Sequence, residues 1–238
     1  MTNILFMGSK TVGFECLQFL LSNKDALNAQ VIGVLTNAQR SSSAQGIIEL
    51  SNDYNVKVYS DLDDILALDD IDIIIAIQFH KILKKKHIEK ARKMALNLHM
   101  APLPEYRGCN QFSYAIINGD AIFGTTLHIL NERIDNGDIL CENRFEIPKN
   151  CYVNELVELT SLKSIELFKK NIRDILVGKI NPISQDSLVK ERGTSLHLRH
   201  EIYDLKKIDM RWSEEKIHRY IRATSMPGFE PPYAILNN

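Results

Sequence analysis

The chain has 238 residues, enough to bury a sizeable core in one domain with a small appendage. Apolar residues make up 45% of it and charged residues 25%, the balance of an ordinary globular protein. The formal net charge of -1 excludes nucleic-acid binding that depends on bulk positive charge, although it leaves room for a local basic patch.

The cysteines and the N-terminus indicate where the protein works. The four cysteines form no Cys-x-x-Cys pair and no zinc spacing with histidine, so we expect free thiols and no metal site. The start MTNILFMGSK lacks the basic region and long apolar run of a signal peptide. No stretch approaches the roughly 20 apolar residues of a membrane span. We therefore expect a cytoplasmic protein that does not contact a membrane.

The first half of the chain alternates predicted strands and helices. Apolar runs predict strands at residues 3–8, 29–37, 55–60 and 72–78, and helical patterns lie between them. The fourth run, DIIIAIQ, is too uniformly apolar for a half-exposed strand. This pattern predicts an α/β fold with a doubly wound, Rossmann-like, mostly parallel sheet covered on both faces.

The predicted sheet also indicates where a ligand would bind. Sheets of this kind bind ligands beyond the carboxyl ends of their strands. Residues 8–10, 78–83 and 99–108 each follow or end a predicted strand. We expect them to meet along one edge of the sheet.

The composition of the second half of the chain changes near residue 180. A helix ending at Asn118-Gly119, the strands GTTLHIL and DILCENRFEI, and a long helix over 154–178 are predicted before it. The sequence after Gly178 is polar and rich in turns, and a last helix follows the capping residue Ser213. We predict a catalytic domain over 1–179 and a small C-terminal α+β subdomain over 180–238.

Two basic segments each allow two interpretations. The first loop reads G-x-K-x-x-G and lacks the central glycine of a dinucleotide-binding fingerprint, so a tight turn between strand and helix is the simpler interpretation. The functional one is that Ser9 and Lys10 contact an anionic group at the helix N-terminus. Lys81 and Lys84–Lys86 are either a phosphate patch or a solvated helix face.

The stretch MALNLHM predicts a strand that carries two candidate catalytic side chains. Leu96 and Leu98 alternate with Asn97 and His99, so one face of the strand buries leucines and the other presents an amide and an imidazole. Taken alone, the polar pair could simply satisfy local backbone groups. Asp135 lies in a turn between two later strands and can face the same edge. A carboxylate there would favour the protonated imidazole and fix its orientation.

These three residue types suit direct acyl transfer. No serine or cysteine candidate completes a nucleophilic triad with them. Asn97 would donate to a developing oxyanion, His99 would move the proton, and Asp135 would hold His99. One oxyanion donor is worth about 3–4 kcal/mol.

Several motifs in a fixed order resemble the folate-dependent formyltransferase family. They are Asn97-Leu98-His99, LPEYRG, NGD, GTTLHIL and IDNGDIL. The separation of 36 positions between His99 and Asp135 also agrees with the family pattern. The resemblance covers residues 3–140, with a weaker match in IDMRWSEEKIHRYIRAT.

The resemblance implies a catalytic trio and a formyl donor. The trio is Asn97, His99 and Asp135, and the donor is N10-formyltetrahydrofolate. Folate-binding residues are implied in two segments, which contain Lys81, Ile82 and Leu83 and then Asn131, Glu132, Arg133, Ile134 and Asp135. Cys109 stands where some sugar-acting members carry arginine, which puts a folate contact there in doubt.

The acceptor implied by the resemblance is the amino group of a nucleotide-linked sugar, most closely a dTDP-linked amino-dideoxyhexose. Substrate-binding candidates are Ser9, Lys10, Gln78, Arg107 and Tyr233. Phe229 or Tyr233 would stack on the base, or equally pack within the protein or a dimer. Such an enzyme would be a homodimer that serves O-antigen or lipopolysaccharide biosynthesis. The alternative is a methionyl-tRNA formyltransferase-like enzyme, but only about 60 residues follow Gly178 to grip tRNA.

Overall fold

The structure, a computed structural model, describes residues 1–37 and 42–234. Its strands, in chain order, are β1 (Thr2–Gly8), β2 (Ala29–Leu35), β3 (Val58–Tyr59), β4 (Ile73–Ile77), β5 (Met94–His99), β6 (Tyr106–Gly108), β7 (Ile122–Ile129), β8 (Ile139–Glu146), β9 (Ser195–His197), β10 (Lys207–Ile208) and β11 (Tyr233–Ala234). Its helices are α1 (Lys10–Ser22), α2 (Lys24–Leu27), α3 (Ser42–Asp53), α4 (Lys85–Ile88), α5 (Gln111–Asn118), α6 (Val153–Leu176), α7 (Gln185–Arg192), α8 (Ile202–Leu205) and α9 (Glu214–Thr224). Leu62–Ala67 and Arg199–Glu201 form 3-10 helices.

The central sheet has the strand order β3-β2-β1-β4-β5-β7-β8. The first five of these strands are parallel, and β7 and β8 add an antiparallel hairpin to the β5 side. The predicted α/β fold with a mostly parallel sheet is thus confirmed. The strand order reverses between β1 and β4, where the connections leave on opposite sides and open a crevice at the carboxyl ends.

Apolar side chains cover both faces of the sheet. On one face, Leu96 and Leu98 are buried together with residues of α1 and α6. On the other, Ala95 and Leu83 belong to a cluster that includes the first 3-10 helix. Because side chains alternate along a strand, Asn97 and His99 lie on the face opposite the two leucines.

The C-terminal segment packs against the rest of the chain through strand pairing and helix contacts. Strand β9 pairs in parallel with β6, and α9 packs against α5, where Ser113 Oγ donates to the carbonyl of Ala223 at 2.7 Å. Gln185 is buried and reaches the turn between β7 and β8. The division at residue 180 stays a prediction, and residues 235–238 of the predicted subdomain lie outside the described part.

Two helix starts were predicted, and one needs correction. Ser213 caps α9 by accepting from Lys216 N–H at 3.3 Å, as predicted. Helix α6 begins at Val153, one residue before the predicted start at Asn154, because Tyr152 N–H donates to Glu155 Oε2 at 2.7 Å and closes the first turn. No helix within residues 1–37 and 42–234 is long and apolar enough to cross a membrane.

Candidate active site

The structure brings Asn97, His99 and Asp135 to one edge of the sheet. Asn97 and His99 end β5, and Asp135 reaches them from the turn between β7 and β8. His99 Nδ1 lies 3.5 Å from Asp135 Oδ2. The histidine and the carboxylate, distant in sequence, therefore form an ion pair when the imidazole is protonated.

The ring of His99 is held from its other nitrogen as well. Its Nε2 lies 2.7 Å from the carbonyl oxygen of Tyr106, so this nitrogen carries a hydrogen and donates. Only 7% of His99 is exposed. A ring held at both nitrogens keeps one orientation, as a group that handles a proton requires.

Asp135 is ionised, and hydrogen bonds hold its carboxylate and its turn in place. Burial alone would raise its pKa, but the charge of His99 and the hydrogen bond from the backbone N–H of Gly108, with His128 nearby, outweigh burial and hold the pKa of Asp135 well below its usual range. Gly108 N–H donates to Oδ2 at 3.0 Å. The side chain of Gln185 donates to the carbonyls of Asp135 and Gly137, at 2.9 and 2.7 Å, and fixes the turn.

Two glycines are required by close backbone approaches. Gly108 has φ of +84°, and a Cβ there would lie 2.3 Å from the carbonyl oxygen of His197. A Cβ on Gly137 would lie 1.8 Å from the carbonyl oxygen of Ile129. These contacts explain why the LPEYRG motif ends on glycine and the IDNGDIL motif has glycine at its centre.

Sequence reasoning missed His128, which is completely buried beside the trio. It lies opposite Asn97 in the antiparallel pairing of β5 with β7, and its Nε2 is 3.1 Å from Asn97 Nδ2. It is also 3.6 Å from an oxygen of Asp135. Sequence reasoning placed His128 in the strand GTTLHIL but had no register with which to put it opposite Asn97.

The predicted substrate residues at the ends of β1 and β4 meet as expected. Ser9 Oγ donates to the carbonyl oxygen of Gln78, and Gln78 Nε2 contacts Met100 Sδ at 3.1 Å, directly after His99. Both Lys10 and Gln78 have positive φ, +57° and +51°. Gln78 Oε1 is buried and has no hydrogen-bond partner in the described part of the chain. A substrate N–H or O–H would satisfy it.

Arg107 lies on β6 between Tyr106 and Gly108, the residues that contact His99 and Asp135. Its Nε is buried without a hydrogen-bond partner among the described residues. A guanidinium in this condition suits an anionic ligand.

The two predicted folate segments lie next to each other. Lys85 Nζ and Glu132 Oε1 are 3.5 Å apart, which joins the start of α4 to the loop after β7. Leu83 is buried and packs in a cluster with Leu130. Nearby in sequence, Ile82 is 74% exposed and Ile134 is 40% exposed, so apolar side chains are left facing solvent in both segments.

The remaining predicted folate residues make local contacts. Lys81 Nζ lies 3.9 Å from Asp61, and Arg133 N–H donates to Asn131 Oδ1 at 2.9 Å. Tyr233 lies apart from the trio's contacts, on β11, which pairs with β10 at Lys207. Its predicted role and that of the exposed Phe229 stay predictions.

Two cavities lie away from the trio. One, of about 710 Å³, is lined by Tyr106, Tyr114, Arg144 and His197, among others. The second, of about 820 Å³, lies between α9 and the start of α6. Neither cavity is lined by Asn97, His99 or Asp135, so the predicted trio lies outside both.

The family follows from comparison with known proteins. Residues 2–166 match the formyl transferase family, and this stretch exceeds half of the chain. The chain therefore belongs to the formyl transferase family. It is 28% identical over 236 residues to a methionyl-tRNA formyltransferase of Clostridium acetobutylicum, covering 93% of this chain and 73% of that protein. It spans less than two thirds, 62%, of the methionyl-tRNA formyltransferases of two Listeria species.

Solved structures with the same fold include sugar N-formyltransferases. WlaRD, a sugar 3N-formyl transferase crystallised with dTDP and 5-N-formyl-THF, aligns with a TM-score of 0.83 and 26% identity over 100% of this chain and 84% of its own. An N-formyltransferase from Helicobacter canadensis, in complex with folinic acid and dTDP-3-aminofucose, aligns with a TM-score of 0.81 and 24% identity over 100% and 85%.

Proposed function

We propose that this protein transfers the formyl group of N10-formyltetrahydrofolate to the amino group of a dTDP-linked amino-dideoxyhexose. The observation that carries the proposal is the convergence of Asn97, His99 and Asp135 at the carboxyl edge of the sheet. The similar protein WlaRD, which was crystallised with dTDP and 5-N-formyl-THF, supports the choice of substrates.

The residues near the trio fit a folate donor, which supplies the formyl carbon when it is bound. The exposed side chains of Ile82 and Ile134 offer apolar surface for a flat ring, and Leu83 next to Ile82 is buried. The loop over 131–135 offers backbone groups beside Asp135. These segments hold the donor, and the trio faces its formyl group.

The chemistry then follows from the orientation of each side chain. The neutral sugar amine attacks the formyl carbon, the carbon's bond to folate N10 breaks, and one amine proton ends on N10. Asn97 donates an N–H to the formyl oxygen as that oxygen becomes negative. His99, when charged and paired with Asp135, stabilises the developing negative charge electrostatically. The proton moves through water, or through His99 Nε2 once this nitrogen releases the carbonyl of Tyr106. The products are an N-formylated sugar nucleotide and tetrahydrofolate.

Unpaired polar atoms at the same edge would bind the acceptor. The orphaned Oε1 of Gln78 would accept from the sugar amine and direct its lone pair towards the formyl carbon. Arg107 and Lys10 would bind the diphosphate, because a guanidinium and an ammonium attract phosphate oxygens. The predicted roles of Ser9 and Tyr233 in binding, and the predicted homodimer, remain part of this proposal.

Methionyl-tRNA is the second candidate acceptor, because curated relatives that formylate it match most of this chain. The test supplies the purified protein with N10-formyltetrahydrofolate and either a dTDP-amino-dideoxyhexose or methionyl-tRNA, and detects formylated product by mass spectrometry. We expect formyl transfer to the sugar alone. Transfer to methionyl-tRNA alone would reject the sugar assignment.

A matched pair of histidine variants ties this activity to the trio. His99→Asn should lose most turnover, whereas His218→Asn, on an exposed histidine of α9, should keep it. Equal activity of the two variants would remove His99 from the mechanism.

A further inference from the structure

We propose that His128 is the positioning residue that fixes which way the Asn97 amide points. The proposal rests on the proposed function, since it concerns the donor that faces the formyl oxygen. It assigns His128 no contact with substrate.

The two nitrogens of His128 have different partners, and this determines the tautomer. Its Nδ1 lies 2.9 Å from the carbonyl oxygen of Ile129, which can only accept, so Nδ1 carries the hydrogen. In a neutral ring Nε2 then has a lone pair and accepts. The Asn97 atom 3.1 Å from Nε2 is therefore an N–H donor.

The orientation of the amide decides whether Asn97 can work. An amide nitrogen has two hydrogens, and the one not given to His128 is free to donate to the formyl oxygen. The reversed amide would instead turn its nitrogen to the other side. Its Oδ1 would need a hydrogen that the neutral Nε2 of His128 lacks, so this orientation is disfavoured.

The surroundings of His128 leave it little freedom. The residue is 0% exposed, and its ring meets that of His99 edge-on with centroids 6.4 Å apart. The charged groups that face it are Asp135, whose Oδ1 is 3.6 Å from Nε2, and His99. At 3.6 Å the carboxylate lies beyond hydrogen-bonding distance, so Asn97 is the hydrogen-bond partner of Nε2.

One competing arrangement uses the same atoms. If His128 were an imidazolium paired with Asp135, its Nε2 would donate, and the Asn97 amide would present its oxygen. The N–H of a charged His128 would then orient the Asn97 amide, in place of the lone pair on a neutral Nε2. The two arrangements differ in whether Nε2 carries a hydrogen.

Two substitutions of His128 separate the two nitrogens. His128→Gln can place an amide oxygen near the Nε2 position and accept from Asn97. His128→Asn can replace only the Nδ1 donation to Ile129. We expect His128→Asn to lower kcat on the order of a hundredfold or more, the effect of losing one oxyanion donor, with little change in KM for the folate. We expect His128→Gln to keep kcat within about tenfold of the wild type.

A double-mutant cycle shows whether His128 acts through Asn97. In an Asn97→Ala background, His128→Asn should cause no further loss of kcat, because the group it positions is absent. An additional loss equal to that in the wild-type background would assign His128 a separate structural role and overturn the proposal. Thermal unfolding of each variant identifies loss of the fold.

The tautomer of His128 can be measured by a method that does not depend on enzymatic activity. Histidine-labelled ¹⁵N NMR of the wild type should show His128 neutral, with hydrogen on Nδ1 and none on Nε2. A hydrogen on Nε2 would overturn the proposal even if formyl transfer is confirmed. Conversely, a wild type that formylates no acceptor would reject the proposed function, while the NMR result still decides how His128 orients Asn97.

Discussion

Replacing Asp135 with asparagine removes the charge opposite His99 and keeps the shape of the side chain. The amide oxygen of Asp135→Asn can still accept from Gly108 N–H, so the turn and β6 should stay in place. What is lost is the attraction across the 3.5 Å between Asp135 Oδ2 and His99 Nδ1. The perturbation is therefore almost purely electrostatic.

The magnitude follows from this distance and from burial. Two unit charges 3.5 Å apart attract by about 5 kcal/mol at an effective dielectric constant of about 20. The two side chains are 8% and 15% exposed, so solvent screens them little. Relaxation and the new amide recover part of the loss, which leaves about 3–4 kcal/mol. At about 1.4 kcal/mol for each factor of ten, kcat should fall by about 10²–10³.

The assay is steady-state formation of the formylated sugar nucleotide, with kcat and KM for both substrates. Asp138→Asn serves as the matched control, because it removes an exposed carboxylate from the same loop and should leave kcat unchanged. The electrostatic reasoning is refuted if Asp135→Asn, folded to the same melting temperature, turns over within threefold of the control.

Two further predictions concern stability around the same carboxylate. Gly108→Ala should lower the free energy of unfolding in urea by about 2.5–5 kcal/mol, which combines about 1–2 kcal/mol of left-handed strain with about 1.5–3 kcal/mol for the weakened hydrogen bond to Asp135. A loss below about 1 kcal/mol would contradict this prediction, because it would show that β6 and β9 separate without cost. Because the folded pKa of Asp135 is depressed below its ordinary value of about 4, its stabilisation is present above that pH and is lost as the pH falls towards the folded pKa. The wild type should therefore lose stability more steeply than Asp135→Asn below about pH 4, and parallel urea midpoints across that range would contradict it.

Local sequence patterns were enough to predict the strand that carries the site. The alternation of Leu96 and Leu98 with Asn97 and His99 has the period of a strand, and the buried leucines confirm the predicted faces. The meeting of Ser9, Gln78 and Met100 followed from the rule that parallel strands end at one edge. These features depend on short-range periodicity and on topology.

Contacts that depend on long-range register could not be predicted. His128 comes to Asn97 only through the pairing of β5 with β7, and Gln185 reaches Asp135 from 50 positions away. The carbonyl of Tyr106, which holds His99, is a backbone group with no signature in the sequence. Asp135 was selected from its place in a turn between two predicted strands, and the resemblance then supported the choice, because turn composition alone does not say which carboxylate faces the histidine.

The central claim is that the formyl group is transferred at the edge formed by Asn97, His99 and Asp135. The most direct measurement is a crystal structure of the protein with dTDP and 5-formyltetrahydrofolate. We predict that the formyl oxygen lies within hydrogen-bonding distance of Asn97 Nδ2, with the folate between the segments of Ile82 and Ile134. A folate seated instead in the cavity beside Tyr114 and Arg144, with its formyl group away from Asn97, would contradict it.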